Sequence, residues 1–313
     1  MKIKSTKLLT LLLVLVVLAA CGTDGSGESG AVTQERTANV PAYDREGFPI
    51  TLPDQINSII SIGPSNTEVL VELGFGDIIV ATDAFSHDIA GIRPGISVLN
   101  MISLDLEFII DQQPDIVFVT GMTRVHGDED PLSLVSDVGI CVIYMPSSTS
   151  IAAIKEDIRF MAAVMDAVHA GESLIAGMEA ELENIRQMVA EINERPRVYF
   201  EIGPAPHMWS FGTGTFLHEM IELLGAENIF ADQYSWIPVA DEVLVALNPD
   251  VILTSVRAED PVSEILSRPG WNAITAVQEG AVFRIDTNAS NRPSHNIVIA
   301  LRQIAEAIHP EHF

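Results

Sequence analysis

The chain has 313 residues, with 17 Lys+Arg against 43 Asp+Glu, a formal charge of −26, 48% hydrophobic residues and 6% aromatics. That apolar share sustains a buried core, which excludes an intrinsically disordered chain, and the length suits two ordinary domains or one large one. So acidic a chain repels phosphate backbones and offers no basic stripe, which excludes a nucleic-acid binder, and two cysteines cannot make a disulfide scaffold.

In chain order, Lys2, Lys4 and Lys7 precede Leu8 to Ala20, a stretch that is apolar except for Thr10 and ends in Leu18-Ala19-Ala20-Cys21. A bilayer-spanning helix needs about 20 apolar residues, whereas a secretory apolar region needs roughly 7–15. Residues 1–20 therefore read as a signal peptide. The Cys after small residues resembles the bacterial lipobox, whose cysteine is lipidated and becomes the new N-terminus. Gly22 to Gly30 are polar and glycine-rich, so residues 21–44 are expected to be the lipidated Cys21 and a flexible tether. The folded body then sits on the outer face of the cytoplasmic membrane. Cys141, within the run Gly139 to Tyr144, reads as a small buried hydrophobe.

From residue 56 onward, short β-branched runs alternate with segments of helical period, the pattern of a largely parallel α/β sheet. The expected strands are 56–62, 78–81, 116–120 and 141–145, then 197–202, 251–255 and 282–285. Between the two groups, Ser150 to Glu194 contains no Pro, and Glu172 to Asn193 has the period of one amphipathic helix. Two helices within a single domain would also fit. The reading adopted is an α/β protein of two Rossmann-like lobes, residues 45–170 and 196–313, joined by one long connecting helix, 171–195, with a ligand cleft between them.

An internal repeat supports that reading. Leu104 to Ile110 leads to Pro114-Asp115-Ile116-Val117-Phe118, and Val239 to Val245 leads to Pro249-Asp250-Val251-Ile252-Leu253. Each copy places a glutamate, Glu107 or Glu242, seven residues before the Pro-Asp pair, so one local unit is used twice.

In open α/β sheets, ligands gather beyond the carboxyl ends of the strands. Arg124, Arg257 and Arg292 fall there in a chain poor in basic residues, and a guanidinium fork suits an anionic or oxygen-rich ligand; pairing with surface acids is the alternative. Trp209 and Trp236 are pocket walls or core. His87, His126, His207 and His295 are scattered singly, with no paired spacing, so no resident metal or cofactor is expected. His207 is the candidate should the ligand be haem. No nucleophile elbow, phosphate loop or dinucleotide fingerprint occurs, and no enzymatic activity is expected.

Four segments carry a resemblance: Ile59 to Glu68; Leu104 and Glu107 with Pro114-Asp115; Gly225 to Phe230; and Trp271 to Phe283 with Ile274, Ala276, Val277, Gly280 and Val282. In that order they resemble the iron-siderophore, haem and cobalamin substrate-binding proteins of ABC importers. The resemblance implies two lobes joined by one rigid helix, and Glu107 and Glu242 in the places of the lobe glutamates that engage a dimeric permease with its ATPase subunits. It implies ligand contacts at Arg292 and His295, within the family's arginine region, and at Phe85, Trp209 and Trp236. Where cobalamin binders tend to be Tyr-rich, residues 82–87 keep only Phe85, which puts a ferric siderophore first and cobalamin or haem behind. The expected protein is a monomeric, membrane-anchored receptor for a small metal chelate; a ligand sensor without transport and a secreted metal-dependent enzyme are the alternatives.

Overall fold

Ile59-Ile60-Ser61 has no exposed position, and a strand buried on both faces belongs in the middle of a sheet. A computed structural model describes residues 40–123 and 130–313; the expected leader, most of the tether with Cys21, Arg124 and His126 lie outside them. In chain order the first lobe contains β1 (Ile59–Ser61), α1 (Pro64–Glu72), β2 (Ile79–Asp83), β3 (Ser97–Leu99), α2 (Leu106–Gln112), β4 (Ile116–Thr120), α3 (Ser133–Asp137) and β5 (Cys141–Met145). Its sheet is parallel throughout, in the order β3-β2-β1-β4-β5. Cys141 is buried at the start of β5.

Two helices follow, α4 (Ile151–Val164) and α5 (Val168–Val189). The second lobe then runs β6 (Arg197–Glu201), β7 (Trp209–Phe211), α6 (Phe216–Leu223), β8 (Glu227–Asn228), β9 (Trp236–Pro238), α7 (Asp241–Leu247), β10 (Val251–Thr254), α8 (Pro261–Leu266), α9 (Thr275–Glu279), β11 (Val282–Arg284), α10 (Thr287–Asn291) and α11 (Ile297–Ile308). Its parallel sheet has the order β11-β10-β6-β8, and β7 and β9 form a separate antiparallel ribbon. With β3 set aside, the two sheets have one topology, in which β2, β1, β4 and β5 correspond to β8, β6, β10 and β11.

The repeated Pro-Asp pair plays the same part in both lobes. Asp115 accepts the backbone N–H groups of Asn57 and Ser58 at 2.7 and 3.0 Å, and Asp250 accepts that of Arg197 at 2.8 Å, so each carboxylate ties the start of one strand to its neighbour. Just before each pair, Gln113 (φ 46°) and Asn248 (φ 48°) end a helix in the left-handed conformation.

Helix α5 begins at Val168 and ends at Val189, displaced toward the N-terminus from the expected span. Asp166, at φ 54°, reverses the chain so that α5 packs back on α4. At the other end, apolar periodicity persists to Ile192, but that side chain meets the core from a turn closed by Ile192 N–H to Val189 C=O at 3.0 Å. The helix buries Ile175, Met178, Leu182, Ile185 and Val189 at alternating spacings of three and four. At Gly171 an added Cβ would lie 2.5 Å from that of Ala162, so α4 and α5 approach as closely as their backbones allow. Toward the second lobe, Arg302 of α11 donates its Nε–H to Glu181 of α5 at 2.8 Å. One apolar core includes Ile59 and Phe118 of the first lobe, Ile175 and Leu182 of α5, and Phe200 and Leu301 of the second. Among the described residues, no helix is long and apolar enough to cross a membrane.

Candidate functional site

The loops that follow β1, β2, β4 and β5 in the first lobe, and β6, β10 and β11 in the second, enclose a cleft of about 650 Å³. That is an ordinary size for a small-molecule site, which runs from about 300 to 1,000 Å³. The first lobe supplies many small and hydroxylic groups: Gly63, Ser65 and Asn66 after β1, Thr120 at the end of β4, and Ser147 to Thr149 after β5.

Two buried carboxylates order this wall. Asp83, fully buried at the end of β2, accepts Gly63 N–H and the Ser86 hydroxyl on one oxygen, at 2.8 and 2.6 Å, and Phe85 N–H on the other at 2.8 Å. It therefore fixes both the turn into α1 and the loop carrying Phe85. Gly63 has φ 106°, a conformation that strains any side-chain-bearing residue, and a Cβ there would lie 3.3 Å from that of Thr120. Asp157 of α4 accepts the Ser148 hydroxyl and, at 2.8 Å, Arg45 Nε–H. Burial pushes its carboxyl above the usual range against the lowering pull of Ser148 and Arg45.

The second lobe supplies larger groups. Trp236 of β9 borders the cleft and meets Phe211 of β7 edge-on, with ring centres 6.0 Å apart. Arg257 donates to the Asn288 side-chain oxygen at 2.8 Å, and Ser255 donates its hydroxyl to Asn291 at 3.0 Å. Arg292 borders the cleft too, but it is turned across to the first lobe. Its Nη1 meets Glu68 of α1 at 2.6 Å and its Nη2 donates to the Phe85 carbonyl at 2.7 Å. The second oxygen of Glu68 accepts the Ser294 hydroxyl and, at 3.0 Å, Asn296 Nδ2. Both side chains of this ion pair are only 7% exposed.

Of the residues singled out from sequence, Phe85, Trp236, Arg257 and Arg292 meet at the cleft. Trp209 does not line it. The ribbon register pairs Phe211 with Trp236 and leaves Trp209 two residues along on the same face, beyond the lining. The ligand expectations for His207 and His295 find no place in the cleft wall either. His207 is exposed, in the bend that precedes β7. His295 faces a second cavity of about 370 Å³ behind the Glu68–Arg292 pair, with Glu72, Asp88 and Asp286 in its wall. Its Nδ1 is buried without a hydrogen bond, and burial pushes its pKa down although Glu72 and Glu68 pull it up. Arg124 falls outside the described residues. Among the described residues, no group of three or more His, Cys, Asp and Glu side chains is arranged to hold a metal ion.

Glu107 and Glu242 each occupy the first turn of a helix that leads into a parallel strand. Such a helix runs against its strand, so both carboxylates sit at the sheet edge that bears the cleft loops. Both are exposed, and neither makes an ion pair among the described residues. The two helix starts are secured differently. Asp105 caps α2 by accepting Phe108 N–H at 2.9 Å, whereas Asp241 of α7 accepts the indole N–H of buried Trp271 at 2.8 Å. Arg268 lies 4.5 Å from the Trp271 ring centre and grips buried Glu201 with both terminal nitrogens, at 2.6 and 2.9 Å.

Sequence reasoning missed Glu68, Asp83 and Glu201. Glu68 and Asp83 lie within segments singled out for other reasons, but nothing local marks an acid as buried.

Residues 59–289 match the family model described as periplasmic binding protein. A Bacillus subtilis protein named as an ABC transporter substrate-binding lipoprotein, YvrC, is 27% identical over 309 residues, covering 97% of this chain and 96% of that protein. A protein of Halobacterium salinarum named as cobalamin-binding is 27% identical, covering 95% of this chain and 84% of that protein. Among solved structures, a possible iron-binding, periplasmic solute-binding protein from Staphylococcus epidermidis superposes with a TM-score of 0.71 at 25% identity, over 81% of this chain and 99% of that one. These names describe solute-binding proteins, not enzymes.

Proposed function

The chain belongs to the periplasmic binding protein family, and we propose that it is the extracytoplasmic, lipid-anchored receptor of an ABC importer, capturing a metal chelate between its lobes and delivering it to a dimeric permease. The observation that carries this reading is the pair of unpartnered glutamates, Glu107 and Glu242, one on each copy of a repeated unit and both at the edge that bears the cleft. A two-fold partner requires like charges on both lobes, and the lipoprotein relative is named as a transporter component. Attachment through Cys21 would keep the receptor close to its permease.

The cleft chemistry bears on the cargo. Among the described lining residues Arg257 is the cation outside an ion pair, no acid is present, and Phe85 and Trp236 offer apolar faces. Such a wall suits a bulky, weakly charged chelate whose metal is already fully coordinated. Cobalamin fits this description, and the Halobacterium salinarum relative is named for it. A ferric siderophore, which the sequence places first, fits in its neutral hydroxamate form and fits poorly as a polyanionic catecholate. Haem ranks behind both, because the described lining offers no His, Cys or Tyr for its iron.

The test is a tryptophan-fluorescence titration of the full-length chain in detergent with cyanocobalamin, a ferric hydroxamate, a ferric catecholate and haem. Saturable quenching by one of the first two is expected; a flat response to all four overturns the receptor reading. Replacing both glutamates, Glu107→Ala with Glu242→Ala, is expected to abolish uptake in cells at unchanged chelate affinity. Loss of affinity instead would refute the separation of docking from capture.

A further inference from the structure

The cleft wall contains two arginines among the described residues, and one of them is withheld from it. Arg292 is held by Glu68 and the Phe85 carbonyl, and Glu68 is in turn fixed by Ser294 and Asn296. Glu68 does not itself line the cleft; it stands in the wall of the second cavity, with Arg292 shared by the two. A guanidinium neutralised by a buried carboxylate presents little field to a ligand on its other side, whereas the same group without its partner is a strong anion hook.

We propose that Glu68 determines charge specificity: by sequestering Arg292 it leaves Arg257 as the single free cation among the described cleft residues, and so excludes polyanionic chelates in favour of weakly charged ones. This rests on the receptor reading above, and it assigns Glu68 a role separate from joining the lobes. The ligand class is thus selected by a residue that never touches the ligand. Glu68 keeps out the wrong charge in the way that specific sites often do, by making the competitor's complex worse.

The experiment uses the full-length chain with two probes, cyanocobalamin and a synthetic ferric tricatecholate, read by tryptophan fluorescence alongside a thermal melt. Glu68→Gln keeps the side-chain shape and its bonds to Ser294 and Asn296 but removes the charge. It is expected to raise affinity for the tricatecholate by about tenfold to a hundredfold, the range of one charge-assisted hydrogen bond, and to leave cyanocobalamin affinity within about threefold. The gain should shrink as salt is added and vanish when Arg292→Gln is placed on the same background. Should Glu68→Gln melt without cooperativity, Glu68→Asp retains the buried charge but shortens its reach by a methylene, and a gain of a few-fold is expected. A cooperatively melting variant that shows no selective gain overturns the proposal. A wild-type chain that takes the tricatecholate as readily as cyanocobalamin would instead sink the weakly charged cargo reading.

Discussion

In the first lobe the chain passes from β1 through Gly63 straight into α1, whereas in the second it leaves β6, builds β7 and only then reaches α6, with β9 added further on. Everything the lobes share is scaffold: the strand order around β1 and β6, the Pro-Asp clips, the left-handed residues that end α2 and α7, and an exposed glutamate in the first turn of each. Much of what differs faces the cleft. The ribbon brings Trp236, and the loops after β10 and β11 bring Arg257 and Arg292, opposite a wall in which Gly, Ser, Thr and Asn stand beside Phe85, Met101 and Met122. Duplication therefore accounts for the frame and the paired exposed glutamates, and departures from duplication account for the unlike walls of the cleft.

Among the described residues, a buried arginine that grips a buried glutamate within one lobe is particular to the second lobe. Arg268→Met strands Glu201 in the core and is expected to lower stability by about 3–5 kcal/mol in chemical denaturation. A much smaller loss would mean that water already reaches the pair. Recognition can be divided between the lobes next. Trp236→Ala should weaken chelate binding by about 2 kcal/mol, roughly thirtyfold, while Ser65→Ala on the facing wall should change it less than threefold. Equal effects would show that the two walls share the work.

The helix starts offer a finer contrast. Asp105→Ala removes the cap of α2 and should lower stability by about 1 kcal/mol, a loss that Asp105→Asn should largely avoid. The smallest effect concerns pH. Burial holds the His295 imidazole below its ordinary value of 6.5, so the stability tied to its neutral form is complete above that ordinary value and is lost as pH falls from there through the lowered folded value. Glu72 and Glu68 pull it back up and so moderate the loss, with Asp88 and Asp286 lining the same cavity. His295→Gln should flatten the acid side of the stability profile by less than about 1 kcal/mol. A steeper acid limb in the variant would mean that the histidine gains a proton on folding.

Much of this is legible in the sequence, for physical reasons. The expected bounds of strands β4 and β5 agree with the structure to the residue, because continuous apolar runs there are bounded by a Pro-Asp pair or a glycine. The repeat is legible because Glu, Pro and Asp recur at fixed spacing. Strands β7 and β9 are not, because runs such as Trp-Ser-Phe and Trp-Ile-Pro are too short to show a period. Arg292 stands out as a cleft residue, but not as one already engaged, since Glu68 lies 224 residues away in sequence. Ion pairs between lobes leave no local trace, and the same holds for the orphaned nitrogen of His295.

The close approach of α4 and α5 at Gly171 carries a mechanical meaning. From that point α5 runs about 27 Å to Val189 at the usual rise per residue. It is a lever with its short end clamped on the first lobe, and its far half is tied to the second through Glu181 and Arg302. A rotation of about 2° at the clamp moves the far end by roughly 1 Å. A lever of this length turns packing adjustments at one end into ångström displacements at the other, so a small repacking of α4 against α5 would alter the spacing between Glu107 and Glu242.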